Sequence, residues 1–214
     1  MKFEQLGNIK LYNADCMEVM KTFKDKQFDL AIVDPPYGLG DRLAHAGNGA
    51  NAQSKFSNEF HFKGWDNEIP SPEYFNELFR VSKNQIIWGG NYFIEHLSNS
   101  RCIIAWDKMV FIQSMSRVEF AWTSFDLLPQ LIQINNTDKN RIHLTQKPVQ
   151  LYKWLLQNYA KEGDTILDTH FGSLSIGIAC HDMKFDLTAI ELDKDYYEMA
   201  KKRLINHQKQ LTLF

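Results

Sequence analysis

Cysteine is scarce in this chain. The 214 residues include three, Cys16, Cys102 and Cys180, far apart and without a C-x-x-C pair. An odd number at such spacing argues against a disulfide framework and reads as reduced thiols, each serving as small core filler. Excess charge of one sign is also missing: the formal net charge is −2. Any nucleic-acid contact must therefore use a local basic face rather than an overall positive field. No apolar run approaches the roughly 18 residues needed to span a bilayer. The opening "MKFEQLGNIK" lacks the apolar stretch of a signal peptide. These absences predict a cytoplasmic protein. Internal repeats and a linker are lacking too, which predicts a single domain over 1–214. What is present is ordinary for a globular protein with a full core: 44% apolar and 23% charged residues.

Short apolar runs alternate with helical patterns. Strands are predicted at 9–13, 28–34, 84–90, 101–107, 117–124, 128–134, 164–168 and 187–192, rich in Ile, Val, Leu and Trp as strands buried on both faces should be. A helix is predicted over 71–82, with Pro72 inside its start and Tyr74, Leu78, Phe79 and Val81 as its apolar residues. Another spans 147–163, with Leu151, Trp154, Leu155 and Tyr159 on one face and Gly163 as its C′ residue. An amphipathic helix over 194–210 closes the chain. Alternation of this kind predicts an α/β fold: a mostly parallel twisted sheet with helices on both faces. Residues 38–66 have few aliphatic side chains and read as a long loop insertion, which in a compact domain is usually functional.

Two stretches carry chemistry. The first is "FDLAIVDPPYGLG" (28–40), a strand that runs into Asp34, Pro35, Pro36 and Tyr37. Ligands of open α/β sheets sit outside the carboxyl ends of the strands, where Asp34 falls. The prolines fix φ and donate no hydrogen bonds, so their carbonyls remain as acceptors on a stiff turn. A carboxylate beside such a carbonyl can clamp an NH2 group, and Tyr37 can stack on a flat ring. The clamp suits the exocyclic amine of a nucleobase. Its lone pair is delocalised into the ring, and hydrogen bonds to both N–H groups draw the nitrogen towards tetrahedral geometry. The tetrapeptide alone fits equally a Pro-Pro turn capped by its Asp.

The second stretch is "GDTILDTHFGSLSIGIACHDMKFDLTAIELD" (163–193), which reads strand, glycine turn, helix, strand, acid. Asp168 ends the first strand, and Gly172 and Ser173 are placed at the start of the helix, whose free N–H groups make an anion or ligand site. Glu191 follows Gly172 by 19 residues, close to the interval of about 20 between a glycine turn and a ribose-binding acid. Gly172 and Gly177 match neither the G-x-G-x-x-G fingerprint nor a P-loop. This half is expected to hold a ribose-bearing cofactor.

Together these motifs resemble the S-adenosylmethionine-dependent DNA amino-methyltransferases, in the group whose catalytic motif precedes its glycine motif. "DPPY" (34–37) resembles the catalytic motif of the adenine-N6 enzymes, whereas cytosine-N4 enzymes more often begin it with Ser. "HLTQKPVQL" (143–151) resembles the H-P-T-Q-K-P segment, "ILDTHFGSLSIGIAC" the D-P-F-x-G-S-G-T motif, and "YNADCMEVM" (12–20) the G-D-C segment. "AIELDKDYYEMAKKRL" resembles the ribose-binding strand and its helix; "IIWGGNYF" and "WDK" (106–108) resemble small phage-borne members. The resemblance implies a Rossmann-like methyltransferase fold with S-adenosylmethionine as cofactor and double-stranded DNA as substrate. It implies that Asp34 and the Pro35 carbonyl clamp the target amine while Tyr37 stacks on a flipped-out base. Asp15, beside Cys16, would accept from the cofactor's adenine amine, and Glu191 would hold the ribose. Asp168, Gly172, Ser173, Thr145 and Lys147 would surround the methionine part. A homodimer is in keeping with the group.

Departures are as informative. Thr169 and His170 stand where Pro and Phe are usual, Leu174 replaces a Gly, and Leu144 follows His143 in place of Pro. Leu174 either crowds the cofactor or points into helix–sheet packing. His170 is read as structural and as part of the cofactor-binding set, with Cys16 and Asp34, and no metal is expected, because no second ligand lies at a suitable spacing. Residues 80–153 hold nine Lys/Arg against five acids, a surplus of 9 − 5 = +4. Arg42, Lys55, Lys63, Lys139 and Arg141 fall in expected loops near the active edge. Separate recognition domains are not evident. The leading expectation is adenine-N6 methylation of DNA. Cytosine-N4 transfer and a non-catalytic DNA-binding relic are the alternatives.

Overall fold

The computed structural model describes residues 2–40, 66–110, 116–137, 141–143 and 145–210. The described strands are β1 (Glu4–Leu6), β2 (Ile9–Asn13), β3 (Phe28–Val33), β4 (Ser82–Trp88), β5 (Ile103–Asp107), β6 (Val118–Thr123), β7 (Gln130–Gln133), β8 (Thr165–Asp168) and β9 (Asp186–Glu191). The described helices are α1 (Cys16–Met20), α2 (Pro72–Val81), α3 (Val149–Tyr159), α4 (Ser175–Met183) and α5 (Lys194–Gln208). The strands form one sheet in the order β1-β2-β9-β8-β3-β4-β6-β5-β7. From β2 to β4 every pairing is parallel. β6 runs antiparallel to both β4 and β5.

Period-2 alternation splits the core between the two faces. Leu30, Ile32, Ile86 and Trp88 point to the side covered by α3, α4 and α5. Ala31, Val33 and Ile87 point to the side covered by α1 and α2. Each fully buried Leu or Ile contributes about 1.5–3 kcal/mol through lost water contact. The order of the sheet creates the site. After β3 the chain moves through α2 to β4 on one side, and after β8 it moves through α4 to β9 on the other. β3 and β8 are neighbours, so a crevice opens above their carboxyl ends.

The eight expected strands are present and β1 is added, pairing antiparallel with β2. Two helix boundaries differ from the sequence reading. α3 ends at Tyr159 with Ala160 as its cap, so Gly163 is not its C′ residue; its φ of +86° instead serves the turn into β8. α4 begins at Ser175, not at Gly172 and Ser173, because Gly172 (φ +47°) and Leu174 (φ +56°) both adopt left-handed backbone. In α2 the buried apolar residues are Tyr74, Phe75, Leu78 and Val81, and Phe79 is only partly covered. The 38–66 loop lies outside the described residues except at its two ends. No described helix is long and apolar enough to cross a membrane.

Candidate active site

A cavity of about 540 Å³ occupies the crevice, within the usual range of roughly 300–1,000 Å³ for small-molecule sites. Its wall brings together Asp15, Cys16, Asp34, Pro36, Thr145, Lys147, His170, Gly172, Ser173 and Glu191, from segments far apart in the chain. Pro35 is buried and Tyr37 partly buried beside it. On the glycine-turn side, Gly172 donates its N–H to Glu191 Oε2 (3.0 Å), and Asp193 donates to Glu191 Oε1 (2.9 Å). Two backbone donors thus aim the carboxylate across the turn, while burial raises its pKa. Asp15 caps α1, accepting from Met17 N–H (2.7 Å), close to Glu191, whose carbonyl accepts from Ala14 N–H (3.1 Å). Asp168 is buried at the end of β8 and accepts from His170 N–H (3.0 Å). Burial lifts its pKa to about 8.

Two histidines of this wall are held neutral. Burial pushes the pKa of both His143 and His170 down to about 4. His143 Nδ1 accepts from the Thr145 N–H (3.3 Å), which places its proton on Nε2. His170 is wired on both sides: its Nδ1 meets Thr169 Oγ1 (2.9 Å), which meets the Tyr74 hydroxyl (2.7 Å), and its Nε2 lies 3.9 Å from Cys16 Sγ. Burial raises the Cys16 thiol to about 12, so it stays protonated. Neutral rings beside the cavity leave room for a positively charged ligand without repulsion.

On the β3 side, Asp34 is already engaged. The Tyr37 hydroxyl donates to its Oδ1 (2.5 Å), and Lys147 Nζ donates to its Oδ2 (2.5 Å). Lys147 therefore touches the candidate catalytic carboxylate, although the sequence reading put it with the methionine part. Tyr37 stacks nearly parallel on Tyr92, with centroids 5.0 Å apart. It also packs directly on Gly89, where a Cβ would come within 2.2 Å of the ring.

Residues 106–202 match the model of the N6_N4_Mtase family, described as DNA methylase. Over that segment the chain is similar to this DNA methylase family. Its relatives include the Type II methyltransferase M.HpaI of Haemophilus parainfluenzae, 22% identical over 91% of this chain and 74% of the relative. They also include the putative methylase YubD of Escherichia coli K12, 24% identical over 94% of this chain and 92% of the relative. Among solved structures, the M1.HpyAVI–SAM complex aligns over 92% of this chain and 98% of that one, with a TM-score of 0.59 and 19% identity. The cytosine-N4-specific PvuII DNA methyltransferase aligns over 98% and 89%, with a TM-score of 0.64 and 12% identity. These likenesses show the Rossmann-like methyltransferase fold.

Several residues of the site escape a reading of the sequence. Asp66 is buried and accepts from the N–H groups of Tyr37, Gly38 (3.0 Å) and Leu39 (3.2 Å), fixing the turn after the prolines. Glu119 on β6 pairs with Lys147 Nζ (3.2 Å) and Lys108 Nζ (2.9 Å). Leu174 is buried and faces Gly177 inside the packing rather than the cavity. Among the described residues the basic side chains of 80–153 have partners. Arg80, Lys83, Arg101, Lys108, Arg117, Lys147 and Lys153 all pair with acids. Arg141 donates to the Asn136 and Gln146 carbonyls. Arg42, Lys55, Lys63, Lys139 and Leu144 lie outside the described residues.

Proposed function

We propose that the protein transfers a methyl group from S-adenosylmethionine to adenine N6 in double-stranded DNA. One observation carries the reading: Asp34, at the end of β3, shares a single cavity with Asp15, Gly172 and Glu191. A nucleobase amine and a ribose-bearing cofactor can therefore meet there. The residues fit that cofactor. Glu191 is aimed over the glycine turn where ribose hydroxyls would lie, Asp15 offers a further acceptor beside it, and the neighbouring histidines are uncharged. Bound there, the cofactor supplies a methyl group on a positively charged sulfur.

The chain's own residues then do positional work. Asp34 and the Pro35 carbonyl accept from the two amine N–H groups, and Tyr37 supports the flipped base. With the cofactor bound, the nitrogen lone pair would take the methyl carbon, the carbon–sulfur pair would stay on sulfur, and the surplus N–H proton would pass to water. Gly172, Ser173, Thr145, Asp168 and His170 line or back the methionine end. Asp rather than Ser at position 34 supports adenine. Fold likeness to a cytosine-N4-specific enzyme makes cytosine N4 the second reading. Leu174 packs against Gly177 and does not line the cavity, which supports room for the cofactor. The test is transfer of tritiated methyl from S-adenosylmethionine to unmethylated DNA, followed by nucleoside mass spectrometry. N6-methyladenine is the expected product. N4-methylcytosine would replace the target base, and cofactor binding without transfer would overturn the reading.

A further inference from the structure

Behind Asp34 lies a row of alternating charges that the reaction above does not use. Lys147 Nζ sits 2.5 Å from Asp34 Oδ2 and 3.2 Å from Glu119 Oε2, and Glu119 Oε1 is held by Lys108 Nζ at 2.9 Å. The Lys147 side chain is 3% exposed, with its ammonium over the Trp88 ring at 5.3 Å, so it cannot withdraw into solvent. Burial lowers its pKa, but Asp34 and Glu119 outweigh that and raise it. Glu119 Oε2 is shielded from water and has no partner in hydrogen-bond geometry, although Lys147 is the nearby cation. One ammonium thus faces two carboxylates. It has closed fully on one and stands slightly off the other.

An incoming amine must take part of what Lys147 and Tyr37 now hold at Asp34. As the methyl transfers, that amine also becomes positive. An uncompensated ammonium 2.5 Å from Asp34 would oppose both events. We propose that Glu119 is a positioning residue for transfer. It balances the charge of Lys147 and takes up its ammonium when the target amine engages Asp34, leaving the carboxylate free to clamp. The four groups sum to zero, two cations against two anions. Loss of the Glu119 charge leaves a net positive cluster where positive charge develops.

This inference rests on the amine-transfer reading, and the wild-type protein separates the two. The test is a cycle of Glu119→Gln, Lys147→Met and the double variant, measuring kcat and KM for methyl transfer to DNA and the affinity for S-adenosylhomocysteine. Glu119→Gln should lower kcat roughly tenfold, a middling value for coupled charged neighbours, with affinity for S-adenosylhomocysteine unchanged. In the Lys147→Met background the same change should cost less than about twofold, since the charge it balanced is gone. An equal cost in both backgrounds, or no cost in either, overturns the inference while sparing the reading. Absence of transfer by the wild type overturns both. If Lys147→Met has no turnover, thermal unfolding supplies the cycle. Glu119→Gln should lower Tm by several degrees, ~2–4 °C per kcal/mol at this size, but not further when Lys147 is already Met; equal drops in both backgrounds overturn the inference.

Discussion

Replacing Gly89 with alanine tests how the aromatic ring of the DPPY turn is seated. Gly89 has φ +71°, and a Cβ there would stand 2.2, 2.6 and 2.7 Å from three ring carbons of Tyr37. The ring has little room to yield. Tyr92 stacks on it with centroids 5.0 Å apart, Phe93 meets it edge-on at 6.0 Å, and its hydroxyl is tied to Asp34 at 2.5 Å. Alanine in the left-handed region costs about 1 kcal/mol, and overpacking a filled site adds about 1–3 kcal/mol. The sum, about 2–4 kcal/mol, lowers Tm by roughly 5–15 °C for a domain of this size. Gly163→Ala is the control. Its φ is +86° with nothing within 4 Å of the added carbon, so it carries only the backbone cost. Thermal unfolding of both variants, with methyl transfer measured beside it, is the assay. Gly89→Ala should lose transfer at temperatures where it is still folded, because Tyr37 must leave its place beside Asp34. Equal Tm losses in the two variants, with full transfer retained, would refute the seating of Tyr37 on Gly89.

Other perturbations have equally definite outcomes. Asp34→Ala should reduce transfer on the order of 10³-fold or more while cofactor affinity, read by calorimetry, changes little; wild-type turnover would rule out the clamp. Glu191→Ala should weaken cofactor binding on the same titration, and an unchanged affinity would rule out the ribose assignment. Stability in urea should peak near pH 6.5. Just below that pH the unfolded chain protonates two histidines that the fold holds neutral down to about 4, against the opposing carboxyls that burial raises, Asp168, Glu191 and Asp66. Above it, Asp168 keeps a proton in the fold up to about pH 8 that the unfolded chain has already lost, so stability declines. Asp168→Asn should remove the alkaline decline, and a decline that persists would show that another group causes it.

Much of this architecture is legible in the sequence because the central strands are buried on both faces and read as unbroken apolar runs. Lys26 and Lys184 take left-handed backbone without any signal in the residue type, and Leu174 does the same at the start of α4. β1 is three residues long with one apolar side chain, too short for any periodicity to register. The glycine turn and Glu191 are readable as a pair because their spacing reports a local β-turn-α-β unit, and their backbone contact follows. Asp66 is not readable, since it reaches Tyr37 across 29 residues. Lys147 meets Asp34 across 113 residues, and Glu119 reaches both lysines from another strand. The basic surplus of 80–153 is legible too, but the acids that pair with Arg80, Lys83 and Lys153 lie outside that segment.

Leu174 and Gly177 share one small volume. Leu174 is buried at a left-handed position, and a Cβ on Gly177 would lie 2.6 Å from its Cγ. Glycine at 174 would relieve about 1 kcal/mol of backbone strain but would open a void costing about 2–5 kcal/mol. Alanine at 177 would collide before the void exists. Each position therefore dictates which substitution at the other can survive. A lineage moving between a leucine and a glycine in this turn must pass through an unstable single mutant or change both codons together. Packing thus couples the identity of residue 174 to that of 177, and the two behave as one unit of substitution.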